Sequence, residues 1–344
     1  MTNLAIIGAG TMGTIHARSC MDIPEIRVAW VMDTDGARAS ALAEALRARA
    51  TTDLDAVLDD PGVEAIIVAV PTFLHREVAE RAAARGKHIF CEKPITRTRA
   101  DAEALIAACA RAGVGLMVGH VVRFFPEYAC IHDELQRGAI GQVGVARAAR
   151  LNIYPANARG GGRSWYADLA LSGGPILDLM IHDLDTLRWY FGEAERVFAR
   201  SLSDTPYQPQ VDYAQAIIRF ADGVIAHVEA SWAHSSFRTA IEITGEHGAL
   251  RHASGETAPI RVEQVAPAPS PSGALVPRGA LPAGPYEIEM RHFLGCLASG
   301  EPFLTSGQEA LRSLELALAV IESARTGRAV HFAGGRPIFE EAPQ

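Results

Sequence analysis

Apolar residues in the first third of the chain come in short runs, with helical stretches between them. Asn3–Ile7 is an aliphatic run that stops at Gly8, and Thr11–Met21 then has helical character. Arg27–Met32 reads as a second strand, and Gly36–Ala48 as an Ala-rich helix with its charges on one side. Ala65–Val70 is almost uniformly apolar, the pattern of a strand buried on both faces. Leu74–Arg85 is predicted helical and stopped by Gly86, and Lys87–Cys91 is a strand. Arg99–Ala112 is a helix stopped by Gly113, and Gly115–Val118 is a further strand. Strands and helices in alternation predict an α/β fold with a doubly wound parallel sheet.

The rhythm changes after about residue 120. Pro126–Arg137 reads as a helix, Val143–Ile153 as a strand, Ala156–Gly162 as a glycine-rich loop and Ile176–Phe191 as a helix. Four β-type runs then follow without helices between them: Arg196–Ser203, Asp212–Phe220, Val224–Trp232 and Arg238–Thr244. Consecutive strands with short turns predict a second, mainly antiparallel sheet. Residues 259–285 hold seven prolines and read as a loop, and Met290–Ala298 and Gly307–Thr326 are closing helices. The expected division is a first domain of residues 1–122 and a second of residues 123–344.

Composition narrows the partners. A chain of 344 residues suits two domains at roughly 100–200 residues each. The formal net charge is -8 and no cluster of Lys and Arg offsets it, so nucleic acid is not an expected ligand. No apolar run is long enough to cross a bilayer, and the apolar start lacks the basic region of a signal peptide. The five cysteines are scattered and form no C-x-x-C pair, which indicates neither a disulfide framework nor a zinc site. A reducing cytoplasm is the simplest location. Nucleophile elbows, phosphate loops of the G-x-x-x-x-G-K type and H-E-x-x-H helices are missing, and no metal is expected.

Two segments carry chemistry of a different kind. Gly8-Ala9-Gly10-Thr11-Met12-Gly13 fits G-x-G-x-x-G, and it follows a strand and opens a helix. Gly8 permits the tight turn, Gly10 leaves room for a pyrophosphate and Gly13 lets helix and strand pack closely. The helix start then offers N–H groups and a positive dipole to the phosphates. Asp33 lies 20 residues past Gly13, where a carboxylate accepts hydrogen bonds from an adenosine ribose and repels a 2′-phosphate. NAD is therefore expected over NADP, although Asp33 also suits a turn or a helix cap. Further on, Lys93 follows the strand Lys87–Cys91, at the end of a sheet where ligands bind. Asp178 and His182 are spaced four apart on a predicted helix, so the carboxylate can orient the imidazole as a proton acceptor.

Together these segments closely resemble the glucose–fructose oxidoreductase / inositol dehydrogenase family, Gfo/Idh/MocA. The resemblance covers the Gly8–His16 segment, Val70-Pro71-Thr72-Phe73-Leu74-His75, Glu92-Lys93-Pro94 and Gly119-His120-Val121-Val122-Arg123-Phe124. It continues through Ser164-Trp165-Tyr166, the Gly173–Asp185 segment and Thr326-Gly327-Arg328. It implies an N-terminal Rossmann domain that binds NAD(P) and a C-terminal α/β domain with a large open sheet for substrate binding and oligomerisation. The reaction implied is hydride transfer between nicotinamide and a secondary alcohol of a cyclitol, sugar or sugar derivative. The family's catalytic lysine, aspartate and histidine fall on Lys93, Asp178 and His182, with a cis peptide expected at Lys93–Pro94. Pro71, Thr72, His75, Glu92 and Lys93 would line the cofactor crevice, and Arg123 and Trp165 would approach the substrate. For these last two, a structural ion pair and a core anchor are the competing roles. Met180 and Pro175 stand where many members have glycine. A homodimer or homotetramer is the implied assembly. The competing functions are an NAD-dependent glycosidase that recycles its cofactor internally and a non-catalytic NAD(P)-binding sensor.

Overall fold

The computed structural model describes residues 1–153, 165, 168–202, 212–255, 260–264, 273–275 and 283–339. The glycine-rich loop expected at Ala156–Gly162 and most of the proline-rich 259–285 segment lie outside the described residues; within the latter, Ile260–Gln264 and Gly273–Leu275 are strands rather than the expected loop, added to the edge of the second sheet. The chain forms two compact units, Met1–Phe124 with Leu281–Leu311, and Phe125–Ala280 with Arg312–Gln344. The sequence division at residue 122 puts Leu281–Leu311 in the second domain. The structure returns that segment to the first unit, because the helix Pro285–Ser299 buries Met290 and Phe293 in that unit's core. Phe293 meets Phe90 edge-on, with ring centroids 5.8 Å apart.

Six strands build the first unit's sheet: β1 (Thr2–Ile7), β2 (Ile26–Met32), β3 (Arg49–Thr51), β4 (Ala65–Val68), β5 (His88–Glu92) and β6 (Leu116–Gly119). Their order is β3-β2-β1-β4-β5-β6, and each neighbouring pair is parallel. Helices α1 (Thr11–Met21), α2 (Gly36–Leu46), α3 (Leu54–Leu58), α4 (His75–Ala83) and α5 (Arg99–Ala112) connect them. Leu4–Ile7 of β1 and Ala65–Val68 of β4 are wholly buried, which is why these stretches carry no polar alternation. The strand order reverses between β1 and β4, so the loops leaving these two strands border a crevice suited to a ligand. β3 and α3, with three and five residues, are too short to leave a periodic signal and went unpredicted.

The second unit opens with α6 (Pro126–Gln136) and is built on a ten-stranded sheet. Its strands are β7 (Val143–Ile153), β8 (Ala194–Ser201), β9 (Tyr213–Phe220), β10 (Ile225–Ser231), β11 (Ala233–Gly245), β12 (Gly248–Ala253), β13 (Ile260–Gln264), β14 (Gly273–Leu275), β15 (Val330–Ala333) and β16 (Arg336–Ile338). The order is β14-β13-β12-β11-β7-β10-β9-β8-β15-β16. Among the described residues only β7 and β10 pair in parallel, so the expected mainly antiparallel sheet is observed. One face is covered. In β9, Ala214, Ala216, Ile218 and Phe220 are buried, while Gln215, Ile217 and Arg219 point to the open side.

The helix Ile181–Phe191 packs on the covered face, and one buried ion pair ties it to the sheet. Arg150 of β7 donates from Nε and Nη2 to the two carboxylate oxygens of Asp183, at 2.9 and 3.0 Å. Both residues are buried. Burial opposes the charge on Arg150, but Asp183 and Tyr128 outweigh it and hold its pKa above the ordinary arginine value. Such a pair is costly to break and cheap to replace, because the penalty lies in the charge left without a partner. Asp183→Asn is expected to lower unfolding stability by about 3–5 kcal/mol. The double variant Arg150→Met/Asp183→Leu should return most of that loss. Urea denaturation of the three proteins checks both statements.

Candidate active site

The segment Gly8–Gly13 carries the chain from β1 into α1, and its three glycines do not share one cause. Gly8 has φ +104°, and a Cβ there would stand 2.5 Å from the Ala69 carbonyl oxygen. A Cβ at Gly13 would stand 1.8 Å from the Gly8 carbonyl oxygen. Folding alone therefore requires glycine at both places. Gly10 has φ −80° and ψ −160°, open to any residue, and a Cβ there meets nothing within 4 Å. Its lack of a side chain serves no packing in the protein; it leaves the start of α1 open to close approach. No side chain caps α1 and its first turn carries no acidic residue, whereas Asp35, Asp53 and Thr98 cap α2, α3 and α5. Thr11 is exposed and Met12 partly so. A phosphate fits an uncapped helix start of this kind.

Asp33, one residue past β2, faces the same turn and is only 8% exposed. Its Oδ2 accepts from the Ala9 N–H at 2.8 Å, and its Oδ1 from the Asp35 N–H at 2.8 Å. The Arg38 guanidinium lies 3.2 Å from Oδ1. A carboxylate has about four acceptor positions, so Asp33 keeps capacity for a further donor.

β5 ends at the segment Glu92-Lys93-Pro94. From Ile89 to Thr96 every residue is buried except Lys93. The Lys93–Pro94 peptide is cis, as the resemblance implied. Glu92 is buried, and its Oε2 accepts from the Lys93 backbone N–H at 3.1 Å. Its Oε1 is 2.6 Å from Nε2 of His16, a fully buried residue of α1. Burial opposes the Glu92 charge, yet His16, Lys93 and His75 together hold its pKa below the usual glutamate value. Pro71 and Thr72 follow β4. His75 begins α4, with Nδ1 3.0 Å from the Pro94 carbonyl and Nε2 3.0 Å from the Val70 carbonyl. Burial pushes the His75 pKa down, while the carbonyls facing its two ring nitrogens and the Glu92 charge act the other way, and the ring bridges the two loops. His16 was not singled out from the sequence. Its signal was present: α1 buries Gly13, His16, Ala17 and Cys20, and a polar residue on that buried stripe needs a partner.

In the second unit Gly173 and Gly174 take left-handed φ of 77° and 65°. Such a backbone favours glycine and lets the chain turn ahead of the helix. The predicted helix Ile176–Phe191 is also not uniform. Ile176–Met180 is a π turn and the α-helix starts at Ile181. Asp178 lies in the π turn and His182 in the first α turn. From Gly174 to Phe191 only Asp178, His182 and Trp189 escape full burial. Met180 is wholly buried, which removes it from any substrate surface. Thr186 Oγ1 donates to the His182 carbonyl at 2.8 Å.

The remaining candidates take simpler places. Arg123 is buried and donates to the Leu304 carbonyl at 3.1 Å and to Glu309 at 3.2 Å, the structural role weighed above. Trp165 is half-buried, and its neighbours 154–164 and 166–167 lie outside the described residues. His120, in the segment that the resemblance covers, is buried. Among the described residues, no group of His, Cys, Asp and Glu is placed to hold a metal ion, and no helix is long and apolar enough to cross a membrane.

The unequal causes of the glycines give a test. Gly10→Ala should fold with a melting temperature within about 2 °C of the parent, because the new methyl meets open space. It should nevertheless weaken NADH binding about tenfold or more. Gly13→Ala should instead lose stability by about 1–3 kcal/mol or more, from direct overlap with the Gly8 carbonyl. Thermal melts and fluorescence titration with NADH separate the two.

Comparison with known proteins follows the same two-part division. Residues 2–120 match the family model described as oxidoreductase family, NAD-binding Rossmann fold. Residues 128–251 match that of the GFO/IDH/MocA C-terminal domain. D-apiose dehydrogenase of Paraburkholderia graminis is 31% identical over 360 residues, covering 98% of this chain and 91% of that one. The scyllo-inositol 2-dehydrogenase (NAD(+)) of Bacillus subtilis is 29% identical over 340 residues, covering 95% of each. A solved structure of levoglucosan dehydrogenase in complex with NADH and levoglucosan matches with a TM-score of 0.86 at 26% identity, covering 96% of this chain and 99% of the other. With both domain models matched in order and a relative similar over nearly its whole length, the chain belongs to the Gfo/Idh/MocA family of oxidoreductases and carries an NAD-binding Rossmann fold.

Proposed function

We propose that this protein is an NAD-dependent dehydrogenase that acts on a secondary alcohol of a sugar, sugar derivative or cyclitol. One observation carries the reading. In two otherwise buried segments the polar residues left partly open to solvent are Lys93 in the first, and Asp178 and His182 in the second. Folding gains nothing from interrupting a buried run with a charged group. The first unit supplies the cofactor site through Gly8, Gly10, Thr11, Met12, Gly13, Asp33, Pro71, Thr72, His75, Glu92 and Lys93, and the second supplies the substrate site.

NAD, when bound, accepts the hydride from the carbinol carbon. The chain's part is to orient the alcohol and take its proton. His182 accepts the proton, and Asp178, in the turn before it, orients the imidazole. The Lys93 ammonium stabilises negative charge developing on the reacting oxygen and polarises the carbonyl in the reverse direction. Arg123 is assigned to holding residues 304–309, and Trp165 to the substrate side. A cytoplasmic location accords with five cysteines that are all free. Homo-oligomerisation through the open face of the large sheet accords with exposed Phe198, Ile217 and Ile225 on β8, β9 and β10.

The test is NADH formation by the purified protein across D-apiose, levoglucosan, inositols, aldoses and sugar acids. Turnover of one stereochemical group is expected. Lys93→Met and His182→Ala should each reduce kcat about 100-fold or more while NADH affinity survives. Release of a chromogenic aglycone without net NADH would replace the proposal with the glycosidase, and NAD binding without turnover anywhere would favour the sensor. Coenzyme preference is a separate measurement. The Asp33 carboxylate should favour NAD over NADP by roughly tenfold or more, and Asp33→Ala should narrow that ratio. An NADP preference in the parent enzyme would overturn the role given to Asp33.

A further inference from the structure

The His16–Glu92 contact joins two parts of the first unit that the proposed reaction uses separately. α1 begins at the dinucleotide turn, and His16 lies three residues beyond Gly13. Glu92 is 76 residues further along, at the end of β5, with one carboxylate oxygen on His16 and the other on the Lys93 N–H. The imidazole is wedged edge-on between rings, with centroids 5.0 Å from Phe90 and 5.7 Å from Tyr286 of the helix Pro285–Ser299. Its freedom to turn away is therefore small, and its Nε2 is fixed toward the carboxylate. With Glu92 ionised, Nε2 is the donor, since a carboxylate only accepts.

We propose that His16 is a positioning residue for Lys93, acting through Glu92: it holds the carboxylate whose second oxygen fixes the Lys93 backbone. The proposal rests on the assignment of Lys93 to the reacting oxygen. Three elements converge on Glu92. His16 comes from α1, His75 from α4, and Lys93 with the Cys91 thiol from its own segment; Tyr286 packs on the far partner, His16. His75 grips the next residue of the loop, Pro94, at its carbonyl. Of these contacts, the His16 hydrogen bond is the short one to the carboxylate itself. Without it, less opposes the effect of burial, and Glu92 takes up a proton more readily. The attraction between Glu92 and the Lys93 ammonium is then weakened, and the ammonium gives up its own proton more readily.

The experiment uses the full-length protein and two variants. His16→Phe keeps the ring contacts and removes the donor. His16→Gln keeps an N–H donor of similar reach. The first readout needs no substrate: labelling of Lys93 by acetic anhydride across a pH series, followed by peptide mass spectrometry. In His16→Phe the labelling profile of Lys93 should move about one pH unit to the acid side, and His16→Gln should restore most of it. The second readout is steady-state kinetics on whichever substrate is turned over. There kcat should fall about tenfold in His16→Phe with NADH affinity within about threefold of the parent, and His16→Gln should recover it. An unmoved Lys93 profile in folded His16→Phe would overturn the proposal, as would a loss confined to NADH affinity or a His16→Gln variant no better than His16→Phe. Should His16→Phe not fold, Glu92→Gln takes its place and must give the same acid shift. Should no substrate be turned over, the labelling still decides the role of His16, and only the dehydrogenase reading fails.

Discussion

Glu92 is a carboxylate with almost no access to water, and a charge in that position persists only where donors converge on it. That requirement organises the first unit around the end of β5. One donor must come from α1, which fixes the helix leaving the dinucleotide turn against the strand that carries Lys93. Another is the Lys93 N–H itself, which sets the path of the chain just past the strand. His75 then ties the carbonyl of Pro94 to the loop after β4, so α1 and the loops at the carboxyl ends of β4 and β5 share one bonded framework. A parallel sheet brings such loops to the same edge, and the buried polar contacts fix them there.

The second unit repeats the device with different residues. His182 is followed by Asp183, as Lys93 is preceded by Glu92, and in both places the neighbour is a buried carboxylate bound by a basic side chain from another element. Arg150 belongs to β7 and His16 to α1. In each case the residue proposed for chemistry remains partly open while its sequence neighbour is locked. Locking the neighbour orients the backbone from which the working group springs. The π turn at Ile176–Met180 belongs to the same arrangement. It is a departure from regular helix directly before His182, entered through two left-handed glycines and held between buried Ile176, Leu177, Leu179 and Met180.

Much of this was legible before the coordinates. The alternation of apolar runs with helices gave the parallel sheet, because strands buried on both faces cannot hide their composition. The turn at Gly8–Gly13 and Asp33 beside it stood where the sequence placed them, and the cis peptide before Pro94 where the family resemblance placed it. What escaped is of two kinds. Short elements escaped because three or four residues carry no period: β3, β14, β15 and β16 are examples. Long-range pairings escaped because no local pattern announces them. Arg150 and Asp183 are 33 residues apart, and His16 and Glu92 are 76 apart. The return of the helix Pro285–Ser299 to the first unit is of the same kind, since its amphipathic pattern states that Met290 and Phe293 are buried but not against what. The glycines at 173 and 174 were visible as glycines, but only their φ values show what the fold itself asks of them.

That last distinction reaches further than one loop. A motif residue has two possible causes, the fold and the ligand, and a structure without ligand separates them. Gly8 and Gly13 are explained by the protein itself: their places overlap carbonyl oxygens of the turn and its neighbour. Gly10 is not, for its backbone is ordinary and the space beside it is open. The same subtraction applies to α1, whose start has neither a capping side chain nor an acidic residue, and to Lys93, Asp178 and His182, which break runs of burial that apolar residues would complete at lower free energy. What remains after folding has been accounted for is an open, positively polarised helix start in one unit and a small set of partly exposed ionisable groups in the two. A chain selected for stability alone would have filled the first and buried the second. Their persistence in otherwise well-satisfied surroundings is the physical content of the claim that this protein binds a dinucleotide and moves a proton.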